Sequence, residues 1–346
     1  MMGKVRFGIV GTSNIANIFL KAASKVKDFE LVAIYSRNLE KAREFGMSHG
    51  ASIFFDDLEQ MAKSKDIDAV YIASPNALHS RQAIICLKHK KHVLCEKSLA
   101  SNLKEVKLMI KTAKDNNVLL MEAMRITCVP NFRAVKENLY KIGKIRRFFG
   151  SYCQYSSRYD KYKNGIIENA FKKELSNGAL MDIGVYCIHP MVNLFGAPKS
   201  VKAVSHVLQT GVDGEGSAVF QYDDMDAIIQ YSKVADSYIP SEIQGEEGSI
   251  IIEKLNLFEK AIIKYRDGRE EDISIPKEKA EEKPREIEGM YYELVEFISL
   301  INNNKIESNI NSYENSIIVM EIMDEIRRQS SIVYPADSIS VCDTHL

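Results

Sequence analysis

The sequence predicts a two-part α/β protein, with a doubly wound parallel sheet first and then an α+β region whose large sheet is mostly antiparallel. Three observations carry this. From Val5 to Ala123, β-branched and aromatic runs alternate with apolar residues at helical spacing, the pattern of a parallel sheet with crossover helices. From residue 200 onward strand-like runs follow one another without helices between them, which calls for antiparallel pairing. At 346 residues the chain exceeds one ordinary domain and suits two. The expected division is 1–123 and 124–346.

Val5, Phe7, Ile9 and Val10 form the first strand, and Gly11 stops it. Ile15, Ile18, Phe19, Ala22, Ala23 and Val26 then recur at helical spacing, so the turn joins a strand to a helix. Further strands are expected at 30–36, 52–55, 69–74, 92–95 and 118–123, separated by helices at 39–49, 57–63, 79–89 and 102–116. A helix at 130–139 and a strand at 146–156 open the second part, and a helix at 178–195 follows. Its strands are expected at 200–208, 216–223, 226–235, 241–253, 257–265 and 271–275. Helices at 290–302 and 314–330 close the chain, after a charged run at 266–288 read as an exposed connection.

A helix that begins at the end of a strand points its free N–H groups at the turn, which favours a phosphate there. The dinucleotide pattern G-x-G-x-x-G/A reads here Gly11-Thr12-Ser13-Asn14-Ile15-Ala16. Gly11, Thr12, Ser13, Asn14 and Ile15 are therefore the expected pyrophosphate contacts. Ser13 departs from the pattern, but its hydroxyl can bond a phosphate oxygen. At the end of the second strand, an NAD site would carry a carboxylate for the adenosine ribose. The chain has Tyr35-Ser36-Arg37 instead. With no carboxylate to repel a 2′-phosphate, and with Ser36 and Arg37 able to bind one, NADP is favoured and NAD is the alternative.

The fourth strand leaves the sheet at Ser74-Pro75-Asn76, with His79 beyond, and the fifth ends in Glu96-Lys97. Charges this close to a core must be paired or used, and the carboxyl ends of the strands are where such folds bind ligands. Ser74, Pro75, Asn76, His79, Glu96 and Lys97 are accordingly expected at the cofactor edge.

Lys plus Arg is 46 and Asp plus Glu is 47, a net charge of -1. No basic excess exists to hold nucleic acid or an anionic membrane, which leaves a small molecule as partner. Six cysteines without C-x-x-C spacing read as thiols of a cytoplasmic protein. No stretch reaches the roughly 20 apolar residues that span a bilayer, and no His, Cys or acidic spacing resembles a metal site.

Three motifs, Gly-Ile-Val-Gly-Thr-x-Asn-Ile-Ala at 8–16, Ser-Pro-Asn-x-x-His at 74–79 and His-Val-Leu-Cys-Glu-Lys at 92–97, together resemble the glucose-fructose oxidoreductase, inositol dehydrogenase and rhizopine-catabolism (Gfo/Idh/MocA) family. The resemblance implies a Rossmann domain and an NAD(P)-dependent oxidoreductase in which Lys97 sits beside nicotinamide and substrate. Ser98 stands where the family has a proline. It further implies assembly as a homodimer or homotetramer through the open face of the second sheet.

On the helix expected at 178–195, Asp182 and Tyr186 are four residues apart and share a face. The stretch resembles the family's Asp-x-Gly-x-His/Tyr element, and its tyrosine is closest to the dihydrodiol and xylose dehydrogenase-like branch. A phenol needs a nearby cation to serve as a base at neutral pH, and Lys97 is the candidate. The reading that follows is hydride transfer between nicotinamide and a hydroxyl or carbonyl carbon of a sugar, cyclitol or related polyol, with Lys97, Tyr186 and Asp182 as catalytic groups. Arg125, Arg158, Tyr159 and His189 are secondary substrate-contact candidates. The family also contains nicotinamide-binding regulators and NAD-dependent glycosidases; a regulator has no need of Lys97 and Tyr186 together, which favours an enzyme.

Overall fold

The computed structural model describes residues 3–275 and 285–338. The chain forms two units: residues up to Arg125 with Glu286–Ser316, and Ile126–Arg285 with Ile317–Ser338.

The first unit runs β1 (Val5–Val10), α1 (Asn14–Ala23), β2 (Phe29–Tyr35), α2 (Leu39–Met47), β3 (Ile53–Phe55), α3 (Leu58–Lys63), β4 (Ala69–Ile72), α4 (Asn76–Lys88), β5 (His92–Glu96), α5 (Leu103–Asn116) and β6 (Leu120–Ala123). All six strands pair in parallel in the order β3-β2-β1-β4-β5-β6. This is the predicted doubly wound sheet, and its order reverses between β1 and β4, the point past whose strand ends such folds bind their ligands. Phe7 and Ile9 of β1, Phe19 of α1, Tyr71 of β4 and Leu94 of β5 share one buried cluster. The Phe19 and Tyr71 rings stack at 3.7 Å, fixing α1 over the sheet.

The second unit contains α6 (Pro130–Asn138), β7 (Ile145–Cys153), α7 (Ser157–Lys163), a π-helical turn at Leu180–Gly184 that runs into α8 (Val185–Phe195), and seven strands: β8 (Ser200–Val207), β9 (Asp213–Gln221), β10 (Asp226–Ser232), β11 (Ser241–Gly245), β12 (Gly248–Glu253), β13 (Lys260–Tyr265) and β14 (Glu270–Asp272). The sheet order is β14-β13-β12-β11-β7-β10-β9-β8. Only β7 and β10 pair in parallel; the other neighbours are antiparallel, so the sheet is mostly antiparallel as expected. α8 covers one face, with Phe195 against Phe148 at 5.9 Å. Along β12, Ile250 and Ile252 are buried while Ile251 is partly open, so one face is core. The run expected as a single strand at 241–253 is instead a hairpin, β11 and β12 turning at Glu246-Glu247. Among the described residues, Lys173–Phe195 is long and apolar enough by composition to cross a membrane, but 78% of its 18-residue apolar window is buried inside the protein, as the core helix of a folded unit is.

Two helices follow, α9 (Arg285–Asn302) and α10 (Tyr313–Gln329). α9 adds Met290, Leu294, Phe297 and Ile298, one helical stripe, to the core of the first unit. Phe297 packs 5.9 Å from Phe7. The expected second domain of 124–346 thus gives up this helix to the first unit, because the parallel sheet needs a cover that its own crossover helices do not supply. The unit boundary falls within α10, between Ser316 and Ile317. Beyond it, Gln329 accepts from the Ala203 amide and donates to the Val201 carbonyl, both at 2.9 Å, along the edge strand β8. Of the expected charged connection at 266–288, residues 276–284 lie outside the described residues.

Candidate active site

At the end of β1 the chain turns through Gly11, whose φ of +110° disfavours any L side chain. A Cβ there would lie 3.0 Å from the Ala73 carbonyl oxygen, a backbone atom with little freedom to move. Ser13 is the N-cap residue of α1, yet its side chain makes no capping bond; its hydroxyl donates instead to the Ala73 carbonyl at 3.3 Å. The first-turn N–H groups of α1 are therefore not taken by a side-chain cap. A bare backbone approach and an uncapped helix start fit a pyrophosphate at Gly11 to Ile15. At the end of β2, Asn38 caps α2 through the Lys41 amide at 3.0 Å. That leaves Arg37 exposed, without an ion-pair partner among the described residues.

The Lys97 corner is pinned from several directions. Glu96, buried at the end of β5, accepts a 2.5 Å hydrogen bond from the Tyr71 phenol. Burial pushes the Glu96 carboxyl up, opposed chiefly by Lys97. Beyond the corner, Leu99 N–H donates to Glu122 at 3.1 Å, and Glu122 accepts from the Ser316 hydroxyl at 2.7 Å. The Lys97–Ser98 peptide is cis. His79, expected at the cofactor edge, is fully buried, with Nδ1 2.9 Å from the Ser98 carbonyl and Nε2 2.8 Å from the Ser74 carbonyl. Both ring nitrogens are occupied, so His79 ties the ends of β4 and β5 together and presents none to a cofactor. Ser74 is likewise engaged, donating to Gln82 at 2.6 Å. Arg125 lies beside Glu96 and against Gly289 of α9, where a Cβ would come within 3.2 Å of its side chain. One turn on, Glu293 is buried with both oxygens unbonded among the described residues, and burial drives its carboxyl well above the usual range.

In the second unit, Asp182 lies on the π-helical turn and Tyr186 on α8. Asp182 is part-exposed and forms an ion pair with Lys233, whose own side chain is only 3% exposed. Tyr186 is largely buried, its ring meeting Tyr152 edge-on at 5.7 Å. Asp213 on β9 accepts from the Leu180 amide at 2.6 Å and so anchors the start of this helical segment. Burial raises the Asp213 carboxyl to about 6. Neither Lys233 nor Asp213 is found by the sequence reading, although a lysine closing a buried strand is the same signal that singles out Lys97. Among the secondary candidates, Arg158 is exposed on α7 and 3.8 Å from Glu168. Tyr159 stacks on Tyr162 at 5.7 Å. His189 is wholly buried in α8, inside the core rather than on a substrate-facing surface. Among the described residues, no group of three or more His, Cys, Asp or Glu side chains is arranged to hold a metal.

Residues 5–124 match the model of the oxidoreductase family with an NAD-binding Rossmann fold, and residues 132–251 match the GFO/IDH/MocA C-terminal domain. The chain belongs to the Gfo/Idh/MocA family. Within that family it is 54% identical to the scyllo-inositol 2-dehydrogenase (NADP(+)) IolU of Bacillus subtilis, over 96% of this chain and 99% of that one. It is 32% identical to the trans-1,2-dihydrobenzene-1,2-diol dehydrogenase of Xenopus tropicalis, over 95% of this chain and 99% of the other. A solved levoglucosan dehydrogenase, in complex with NADH and levoglucosan, shares the fold with a TM-score of 0.82 at 24% identity, covering 95% of this chain and 97% of that one.

Proposed function

We propose that the protein is an NADP-dependent dehydrogenase acting on a CH–OH group of a polyol, with a cyclitol such as scyllo-inositol as the first substrate to test. The observation that carries this reading is Lys97 itself, held at the ligand edge of the parallel sheet by the bonded network of Tyr71, Glu96, His79 and Glu122. A lysine carried on a corner fixed in this way, at the end of a buried strand, serves chemistry better than packing. The 54% identity to a relative named as an NADP(+)-dependent inositol dehydrogenase supports both cofactor and substrate class.

Gly11, Thr12, Ser13, Asn14 and Ile15 would hold the pyrophosphate, Ser36 and Arg37 the 2′-phosphate, with Pro75, Asn76 and Glu96 along the same edge. NADP supplies the hydride acceptor when bound. Tyr186 takes the proton from the reacting hydroxyl, and Lys97 holds positive charge toward that oxygen, stabilising the alkoxide that develops there. Asp182 accepts a hydrogen bond from a neighbouring hydroxyl and so selects substrates with vicinal oxygens. We further infer a cytoplasmic homodimer or homotetramer, assembled through the second unit's sheet.

The test is absorbance of the reduced nicotinamide over a panel of cyclitols, sugars and dihydrodiols with each nucleotide, for the native chain and for Lys97→Ala. Turnover with NADP on a polyol, lost in Lys97→Ala while NADPH still binds, is the expected result. Tight nucleotide binding without turnover on any member, unchanged in Lys97→Ala, would replace the enzyme by a sensor. Release of a sugar from a glycoside without net reduction would replace it by a glycosidase.

A further inference from the structure

Lys233 is a charged side chain closing the buried strand β10, and it is almost fully removed from water. A buried ammonium must be compensated. Two features do this: the ion pair with Asp182, and the ring of Phe171, whose centroid lies 5.6 Å from the ammonium. Asp213 on β9 is a second charged group near it. Tyr231 and Tyr334 face Asp213, and Glu215 bonds the neighbouring Ser232 hydroxyl at 3.2 Å.

The same two strands also set the helical segment itself. Asp213 holds the Leu180 amide at 2.6 Å. Gly178, at φ +139°, lies so close that a Cβ there would come within 2.1 Å of Asp213 Oδ1. The segment bearing Asp182 and Tyr186 is therefore tied at its first turn to β9 and at Asp182 to the end of β10. Asp182 is paired to a cation and part-exposed, and a carboxylate held ionised by such a partner can only accept hydrogen bonds.

We propose that Lys233 is the positioning residue of the substrate site: it holds Asp182 ionised and aimed as an obligate acceptor, so that the site requires a hydroxyl donor beside the reacting carbon. The inference rests on the polyol reading for its substrate, but not for its test.

Carboxyl carbon NMR of aspartate-labelled protein, with the Asp182 signal identified by its loss in Asp182→Asn, follows Asp182 through pH in the absence of substrate. In the native chain Asp182 titrates below free aspartate. In Lys233→Met its midpoint rises by about one unit, and Lys233→Arg restores it. The NADPH affinity, set in the other unit, stays within twofold throughout. With an active substrate, Lys233→Met costs about tenfold or more in kcat/KM, mainly through KM, for a polyol carrying the vicinal hydroxyl, and little for its deoxy analogue. Lys233→Arg recovers most of the loss. An Asp182 midpoint at or above that of free aspartate in the native chain overturns the proposal, even if the Met variant does not fold. So does an unchanged midpoint in a folded Lys233→Met. A protein that turns over no polyol yet shows the expected titration retires the substrate assignment and leaves the role of Lys233 standing.

Discussion

Replacing Gly11 by Ala separates two reasons for a glycine. The first is conformational: at φ +110° an L residue is strained by about 1–2 kcal/mol. The second is space. The new Cβ sits 3.0 Å from the Ala73 carbonyl oxygen and 3.3 Å from its carbon, and that carbonyl already receives the Ser13 hydroxyl. The turn must therefore swing away from β4, carrying the first N–H groups of α1 with it. Gly50 is the control. It too has a positive φ, +85°, but nothing lies within 4 Å of its would-be Cβ. Both Gly11→Ala and Gly50→Ala should lower Tm by a few degrees, in line with about 1–2 kcal/mol of strain. Only Gly11→Ala should weaken NADPH, by at least about tenfold, or about 1.4 kcal/mol, in a fluorescence titration. If Gly11→Ala binds NADPH within twofold of the native chain, the backbone cradle is not where the pyrophosphate sits.

Arg37→Glu places a carboxylate at the exposed end of β2 and should turn the preference from NADP toward NAD, read as the ratio of kcat/KM for the two nucleotides; an unchanged ratio removes Arg37 from the 2′-phosphate site. Asp213, raised to about 6 when folded, stabilises the fold fully only below its unfolded value near 4 and loses that contribution as pH rises through 6, a swing of about 3 kcal/mol. Asp213→Asn should flatten that trend, so Tm measured from pH 4 to 7 falls more steeply for the native chain than for the variant.

How much of this was legible depends on whether the signal was local. The turn at Gly11 could be read because a strand, a glycine and a helical stripe are adjacent in the chain, and the structure gives Gly11 the positive φ that the reading requires. The parallel sheet followed from alternation alone. The β11–β12 hairpin was missed because Ile243, Ile250, Ile251 and Ile252 read as one apolar run, although Gly245 and Gly248 bracket the turn. His79 was expected at the cofactor edge, but the two carbonyls that flank its ring, those of Ser74 and Ser98, come from separate strand ends that only the folded sheet brings together. Lys233 and Asp213 escaped notice for the same reason. Their partners on 180–182 lie far off in sequence, and neither residue sits in a motif.

The return of α9 to the first unit has a consequence for how the protein is made. Residues up to Arg125 leave the ribosome on the order of ten seconds before Met290, Leu294, Phe297 and Ile298 are synthesised. Throughout that interval the β1 neighbourhood around Phe7 lacks the apolar stripe that seals it. Until α9 is synthesised, the Phe7 side of the nascent parallel sheet is uncovered apolar surface, the kind of surface through which folding intermediates aggregate.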